Sequence, residues 1–179
     1  MPMRAMNWAP KAGHHTMTEI KASIVPNLWF DREAEQAAQH YITAFGGNGR
    51  ILNTISSHPD SPSPQDVPVV VEFELAGQRL VGINGGPQFT FNEAISLEVR
   101  VSGQEQLDQV WAALVEGGEE LPCGWLKDKY GLAWQITPTE YYDLLGKGDP
   151  EADSRLMSAV LKTVGKFNIA ELQAAYKGS

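Results

Sequence analysis

From Val67 to Leu75 the chain alternates, with Val67, Val69, Val71, Phe73 and Leu75 on one side and Glu72 and Glu74 between them. Side chains of a strand point alternately to its two faces, so this pattern predicts a strand with one buried face. A turn at Ala76-Gly77-Gln78-Arg79 then returns the chain along Leu80 to Asn84 as a hairpin. The same shape recurs from Cys123 to Thr137, where two apolar and aromatic runs flank a polar turn ending in Gly131. There the glycine supplies the positive φ that a hairpin turn needs. Each hairpin lies downstream of a strand and an amphipathic helix, so one unit is used twice.

In the first unit the opening strand falls within Ser23 to Phe30, and Pro26 gives it an edge position or a bulge. Asp31 stands where an N-cap belongs, with Glu33 and Glu35 in the first turn, near the positive end of the helix dipole. Ala34, Ala37, Ala38, Tyr41, Ile42 and Phe45 recur at helical spacing before Gly46-Gly47 stops the element. A strand from Arg50 to Ser56 follows, then His58 to Pro68, a stretch with four prolines and two aspartates in eleven residues. That segment is too broken for helix or strand and reads as a covering loop, a plain surface loop or a subunit contact.

The second unit opens with Ile95, Leu97, Val99 and Val101 alternating against Ser96, Glu98 and Arg100. Ser102 and Glu105 have capping-box spacing, and Leu107, Val110, Trp111, Leu114 and Val115 form the stripe of a helix stopped by Gly117-Gly118. Beyond Pro138 the texture is helical and has no counterpart in the first unit. Tyr141 to Leu145 suggest a short helix, Asp149-Pro150 caps a second, and Asn168 with Glu171 opens a third. The expected division is a tail over 1–18, a first module over 19–93, a second, abbreviated module over 94–138, and a helical extension over 139–179.

A net charge of −8 with no basic stripe argues against a nucleic-acid or anionic-membrane surface and favours small ligands that are not polyanionic. No apolar run approaches the roughly 20 residues that span a bilayer, and the first sixteen residues lack the pattern of a signal peptide. A single cysteine, Cys123, excludes an intrachain disulfide and fits a reducing compartment, so a cytoplasmic location is expected. With no base in its own hairpin, Cys123 reads as a buried structural thiol.

Particular words of sequence add to the repeat: Pro26-Asn27-Leu28-Trp29-Phe30-Asp31, Val71-Glu72-Phe73-Glu74-Leu75, Asn84-Gly85-Gly86-Pro87, Phe91-Asn92-Glu93-Ala94, and Cys123-Gly124-Trp125-Leu126-Lys127-Asp128 running on to Trp134-Gln135-Ile136. In these the chain resembles the vicinal oxygen chelate superfamily, also called the glyoxalase and bleomycin-resistance fold. Its PhnB-like branch, whose members are often labelled 3-demethylubiquinone-9 3-methyltransferase, is the most similar. The resemblance covers about residues 20 to 175. It implies an α+β fold of paired βαβββ modules, often shared between subunits of a homodimer, whose curved sheets enclose a cavity.

Metal-dependent members hold a divalent ion with His and Glu from four strands. Carried over by position, those ligands fall near Pro26 or Asn27, near Asn84, near Ser96 and at Gln135, the last with the family's Asp, Gly and Glu spacing kept as Asp128, Gly131 and Gln135. Neutral amides and a hydroxyl are poor ligands for zinc, iron or manganese, so no metal or other cofactor is expected. His14, His15, His40 and His58 read as surface residues that do not replace the missing ligands. The methyltransferase label finds no support, because neither Gly46-Gly47 nor Gly85-Gly86 lies in a strand-to-helix turn of a parallel sheet.

The expected ligand-binding residues are Asn27, Trp29, Glu72, Asn84, Ser96, Glu98, Trp125 and Gln135, with an aromatic wall of Trp29, Trp125 and Tyr130. The functional reading is a homodimeric small-molecule-binding protein, with neither nucleic acid nor membrane as partner. Two alternatives stand beside it. One is a metal-dependent lyase, isomerase or dioxygenase using noncanonical carboxylates such as Glu72, Glu74 or Glu98, and the other is a non-catalytic structural or interaction dimer.

Overall fold

The computed structural model describes residues 21–60 and 64–179. The expected tail, with His14 and His15, and the centre of the proline-rich loop lie outside the described residues. The first unit consists of β1 (Asn27–Phe30), α1 (Ala34–Ala44), β2 (Gly49–Ser56), β3 (Pro68–Leu75) and β4 (Gln78–Asn84). The second consists of β5 (Leu97–Val101), α2 (Gln104–Val115), β6 (Glu119–Glu120), β7 (Trp125–Lys127) and β8 (Ala133–Pro138). Helices α3 (Thr139–Leu144), α4 (Pro150–Lys162) and α5 (Ile169–Lys177) follow.

Each unit makes a four-stranded sheet, ordered β1-β4-β3-β2 and β5-β8-β7-β6. In both, the first strand pairs in parallel with the last and the remaining pairs are antiparallel. This is the α+β arrangement of paired βαβββ modules. Among the described residues strand β1 has β4 as its one sheet neighbour, which fits the edge position inferred from Pro26.

The β3–β4 turn is tighter than the sequence suggested. Only Ala76 (φ 48°) and Gly77 (φ 82°) lie outside the ladder, both left-handed, while Gln78 and Arg79 already pair with Leu75 and Glu74. Two successive positive φ values match the right-handed twist of the strands. In the second hairpin Gly131 does have positive φ, at 87°.

Two helix starts differ from their sequence signals. Asp31 does not cap α1; the Ala34 N–H donates instead to Asn84 Oδ1 at 2.9 Å, a cap supplied from β4. The Ser102–Glu105 box does not form either: Gly103 occupies the cap position and its N–H donates to Glu140 Oε1 in α3 at 2.9 Å. In both places a group distant in sequence takes the role that a local side chain was expected to fill. Asp149 and Asn168 cap α4 and α5 as read.

The buried stripe of α1 lies on the inner face of its own sheet, formed by Leu28, Phe30, Val71, Phe73, Leu75 and Leu80. Contact is close at Gly82, where a Cβ would stand 2.9 Å from the Ala34 Cβ. The same helix also meets the second sheet. Tyr41, fully buried, sets its ring 5.1 Å from that of Trp134 and donates its hydroxyl to Asp128 Oδ2 at 2.7 Å. Trp134 shares its face of the second sheet with Leu126 and Leu97, its register partners, and Leu107, Val110, Trp111 and Leu114 of α2 are buried in the same core. Helical layer and inner faces thus form one core in the middle of the chain.

The C-terminal helices attach to the second unit. Cys123 and Gly124 donate their N–H groups to Thr163 and Gly165 carbonyls, each at 3.0 Å, and the Phe167 ring fills the space where a Cβ on Gly124 would lie. Gln104 bonds the same segment twice, through Phe167 O and Ile169 N. Cys123 is half-buried and left-handed (φ 62°), so its thiol is less enclosed than the sequence suggested. No helix among the described residues is long and apolar enough to cross a membrane.

Candidate functional site

With both helices on the inner side, the outer faces of the two sheets point away from the shared core. On the first sheet, register joins two rows of outward side chains. One runs Asn27, Val81, Glu72, Asn53 and the other Trp29, Ile83, Val70, Ile55. The first row is polar at its ends, the second apolar throughout. Glu74 pairs with Arg50 at 3.3 Å, whereas Glu72 is half-buried and has no ion-pair partner among the described residues.

On the second sheet the outward row is Glu98, Gln135, Trp125. Ser96, two residues before Glu98 and on the same face, accepts a hydrogen bond from Gln135 Nε2 at 2.7 Å. Glu98 receives Arg100 Nε and Nη2 on Oε2 at 3.0 and 2.9 Å, and the Tyr142 hydroxyl on Oε1. Burial works to raise the Glu98 carboxyl, but the bonds from Tyr142 and Arg100 overcome it and hold the group below its ordinary range. The Arg100 guanidinium also lies 4.2 Å from the Tyr142 ring centroid, a cation–π contact.

The eight expected residues therefore divide. Asn27, Trp29 and Glu72 share one outer face, and Ser96, Glu98, Trp125 and Gln135 share the other. Asn84 belongs to neither: it is fully buried on the inner side, accepting from Ala34 and donating to Pro68 O at 2.7 Å. Nor does Tyr130 stand with Trp125, since its ring packs edge-on to Phe30 and Tyr41. Sequence reasoning missed Tyr142, which looked like part of a helical stripe. Nothing local marks a tyrosine whose partners lie on β5.

The metal that the fold class implies does not fit these residues. Asn84 is committed to two backbone groups, and Gln135 and Ser96 are bonded to each other. Among the described residues no group of three or more His, Cys, Asp or Glu side chains could hold an ion. His58 is exposed, and half-buried His40 packs on Tyr41 and Tyr130 with its Nε2 buried and unbonded.

Paired βαβββ modules, each with its first strand parallel to its last, are the architecture of the vicinal oxygen chelate superfamily. Residues 22–137 match the family model described as 3-demethylubiquinone-9 3-methyltransferase, and the chain belongs to that family, the PhnB-like branch of the superfamily. Among solved structures it is similar to the PhnB protein of Bacillus cereus, described as a 3-demethylubiquinone-9 3-methyltransferase, with 29% identity and a TM-score of 0.60. That match covers 65% of this chain and 99% of the Bacillus protein. Protein PA1353 from Pseudomonas aeruginosa shares the fold at 22% identity and a TM-score of 0.54, over 65% of this chain and 97% of its own. No curated protein matches the chain.

Proposed function

We propose that this protein binds a small organic molecule in a cavity that two copies of the chain build together, without a metal in the binding set. The outer face of the first sheet of one copy meets the outer face of the second sheet of the other, and the pair encloses two such cavities. One observation carries this reading: α1 is packed between the two modules through Tyr41 and Trp134, so the outer faces cannot close on each other within one chain. Both faces nevertheless carry half-buried aromatic and apolar side chains, Trp29, Val70 and Ile83 on one and Trp125 on the other. A concave apolar wall with a few fixed polar groups is the usual composition of a ligand pocket. Here the polar groups are Asn27 and Glu72 from one copy and Ser96, Gln135 and the Glu98–Arg100–Tyr142 cluster from the other.

Native mass spectrometry of the untagged protein as purified from cells tests the reading. A dimer with an organic adduct and no metal is expected. A monomer, or a dimer with about one metal ion per chain, would overturn it, and the second result would make a metal-dependent reaction the leading account.

A further inference from the structure

A second recess borders the outer face of the first sheet at Trp29, where the start of α1, the link from β4 to β5 and the β7–β8 turn converge. Its volume is about 320 Å³, and its walls are aromatic. Trp29 and Phe89 meet edge to face with centroids 5.0 Å apart. The indole is fixed: its Nε1–H donates to Gly86 O at 2.9 Å, and its ring lies so close over Gly85 that a Cβ there would stand 2.0 Å from it. Phe89, by contrast, is 63% exposed. Opposite them, Tyr130 is held by its N–H bond to Asp128 Oδ1 at 2.8 Å and by the Phe30 ring.

The charges around this recess are unequal. Asp31 and Glu33 line it with two carboxylates that make no ion pair among the described residues, against one ammonium, Lys129. Lys129 stands 5.4 Å from the Tyr130 centroid, so this wall already faces a positive charge within the protein. The faces of Trp29 and Phe89 carry the same negative quadrupole, with no cation set against them among the described residues.

We propose that this recess binds a small organic cation, an alkylammonium group seated against Trp29 and Phe89 and balanced by Asp31 and Glu33. The positive end of α1 opposes a cation here, and the two carboxylates just ahead of the helix, Asp31 and Glu33, offset it. The lining residues all come from one chain, and Trp29 is the wall that the recess shares with the outer face of the first sheet.

Calorimetric titration with choline and with its uncharged isostere 3,3-dimethylbutan-1-ol, on the full-length protein, tests the proposal. Choline is expected to bind at one site per chain, the isostere about tenfold more weakly, the difference that a cation–π and carboxylate contribution of about 1.4 kcal/mol would make. Phe89→Ala, at an exposed position that leaves the fold intact by circular dichroism, is expected to weaken choline about fivefold, and Glu33→Gln similarly. Equal binding of the two compounds, choline affinity unchanged in Phe89→Ala, or no saturable heat with choline would each overturn it.

Discussion

Asp128 is only 3% exposed and accepts four hydrogen bonds, from the Tyr130 and Leu132 N–H groups, the Tyr41 hydroxyl and the Trp134 indole. Two of these close the β7–β8 turn and one reaches across to α1, so a single carboxylate ties turn geometry to module packing. Asp128→Ala leaves four donors, three of them buried, without an acceptor, and a loss on the order of 3–5 kcal/mol is expected in denaturant unfolding. Tyr41→Phe removes only the cross-module bond and should cost about 1 kcal/mol. The Tyr41 hydroxyl is raised well above its ordinary pKa by burial, reinforced by Asp128, so at neutral pH it is protonated and donates to that carboxylate. His40 gives the opposite kind of sensitivity. Burial, followed by the Lys129 charge, lowers its pKa from the ordinary 6.5. The folded chain then binds fewer protons than the unfolded one, so stability is full above pH 6.5 and declines as pH falls from there to the folded value. His40→Gln is expected to flatten that part of a stability–pH profile relative to wild type. Of these roles the sequence carried only the spacing of Asp128, Gly131 and Gln135. Nothing near Asp128 reveals that its partners include a helix 87 residues earlier.

Among the elements, the hairpins and the stripes of both main helices were legible, because alternation and helical spacing are local consequences of burying one face. The caps of α1 and α2 were not, because their partners arrive through tertiary packing. Asn84 shows the difference: the family pattern points to a ligand position, while its side chain completes the α1 terminus and holds β3 through Pro68. Asn84→Ala should therefore destabilise the fold by about 1–2 kcal/mol in denaturant unfolding. Asn84→Asp keeps an acceptor at the positive end of the helix but sets a buried carboxylate oxygen against Pro68 O, so its cost should be no smaller. Helix α3 has a comparable effect on the second outer face. In Tyr142→Phe, Glu98 loses one of the bonds that hold its carboxyl low, and NMR titration should find it protonating at higher pH than in wild type.

For the whole molecule, the matched family region stops at residue 137, and the three C-terminal helices lie beyond it. They do not stand apart: Gln104, Gly124 and Phe167 bind them to the second module, and Tyr142 gives the outer face a residue that the family match does not include. Fold class was readable across this length because each module repeats a local pattern. Which faces meet was not readable, since it depends on Tyr41 and Trp134 finding each other across the chain. Placing α1 between the modules also has a genetic consequence. If each cavity draws one wall from each copy, damage to different walls is not equivalent to damage to the same wall. A chain carrying Glu72→Lys and a chain carrying Gln135→Lys would each form dimers with both cavities spoiled, yet refolded together at equal amounts they would regain ligand binding in about a quarter of the cavities, because half the dimers are mixed and each mixed dimer joins two unaltered walls. Two defective alleles of such a protein would complement each other in one cell.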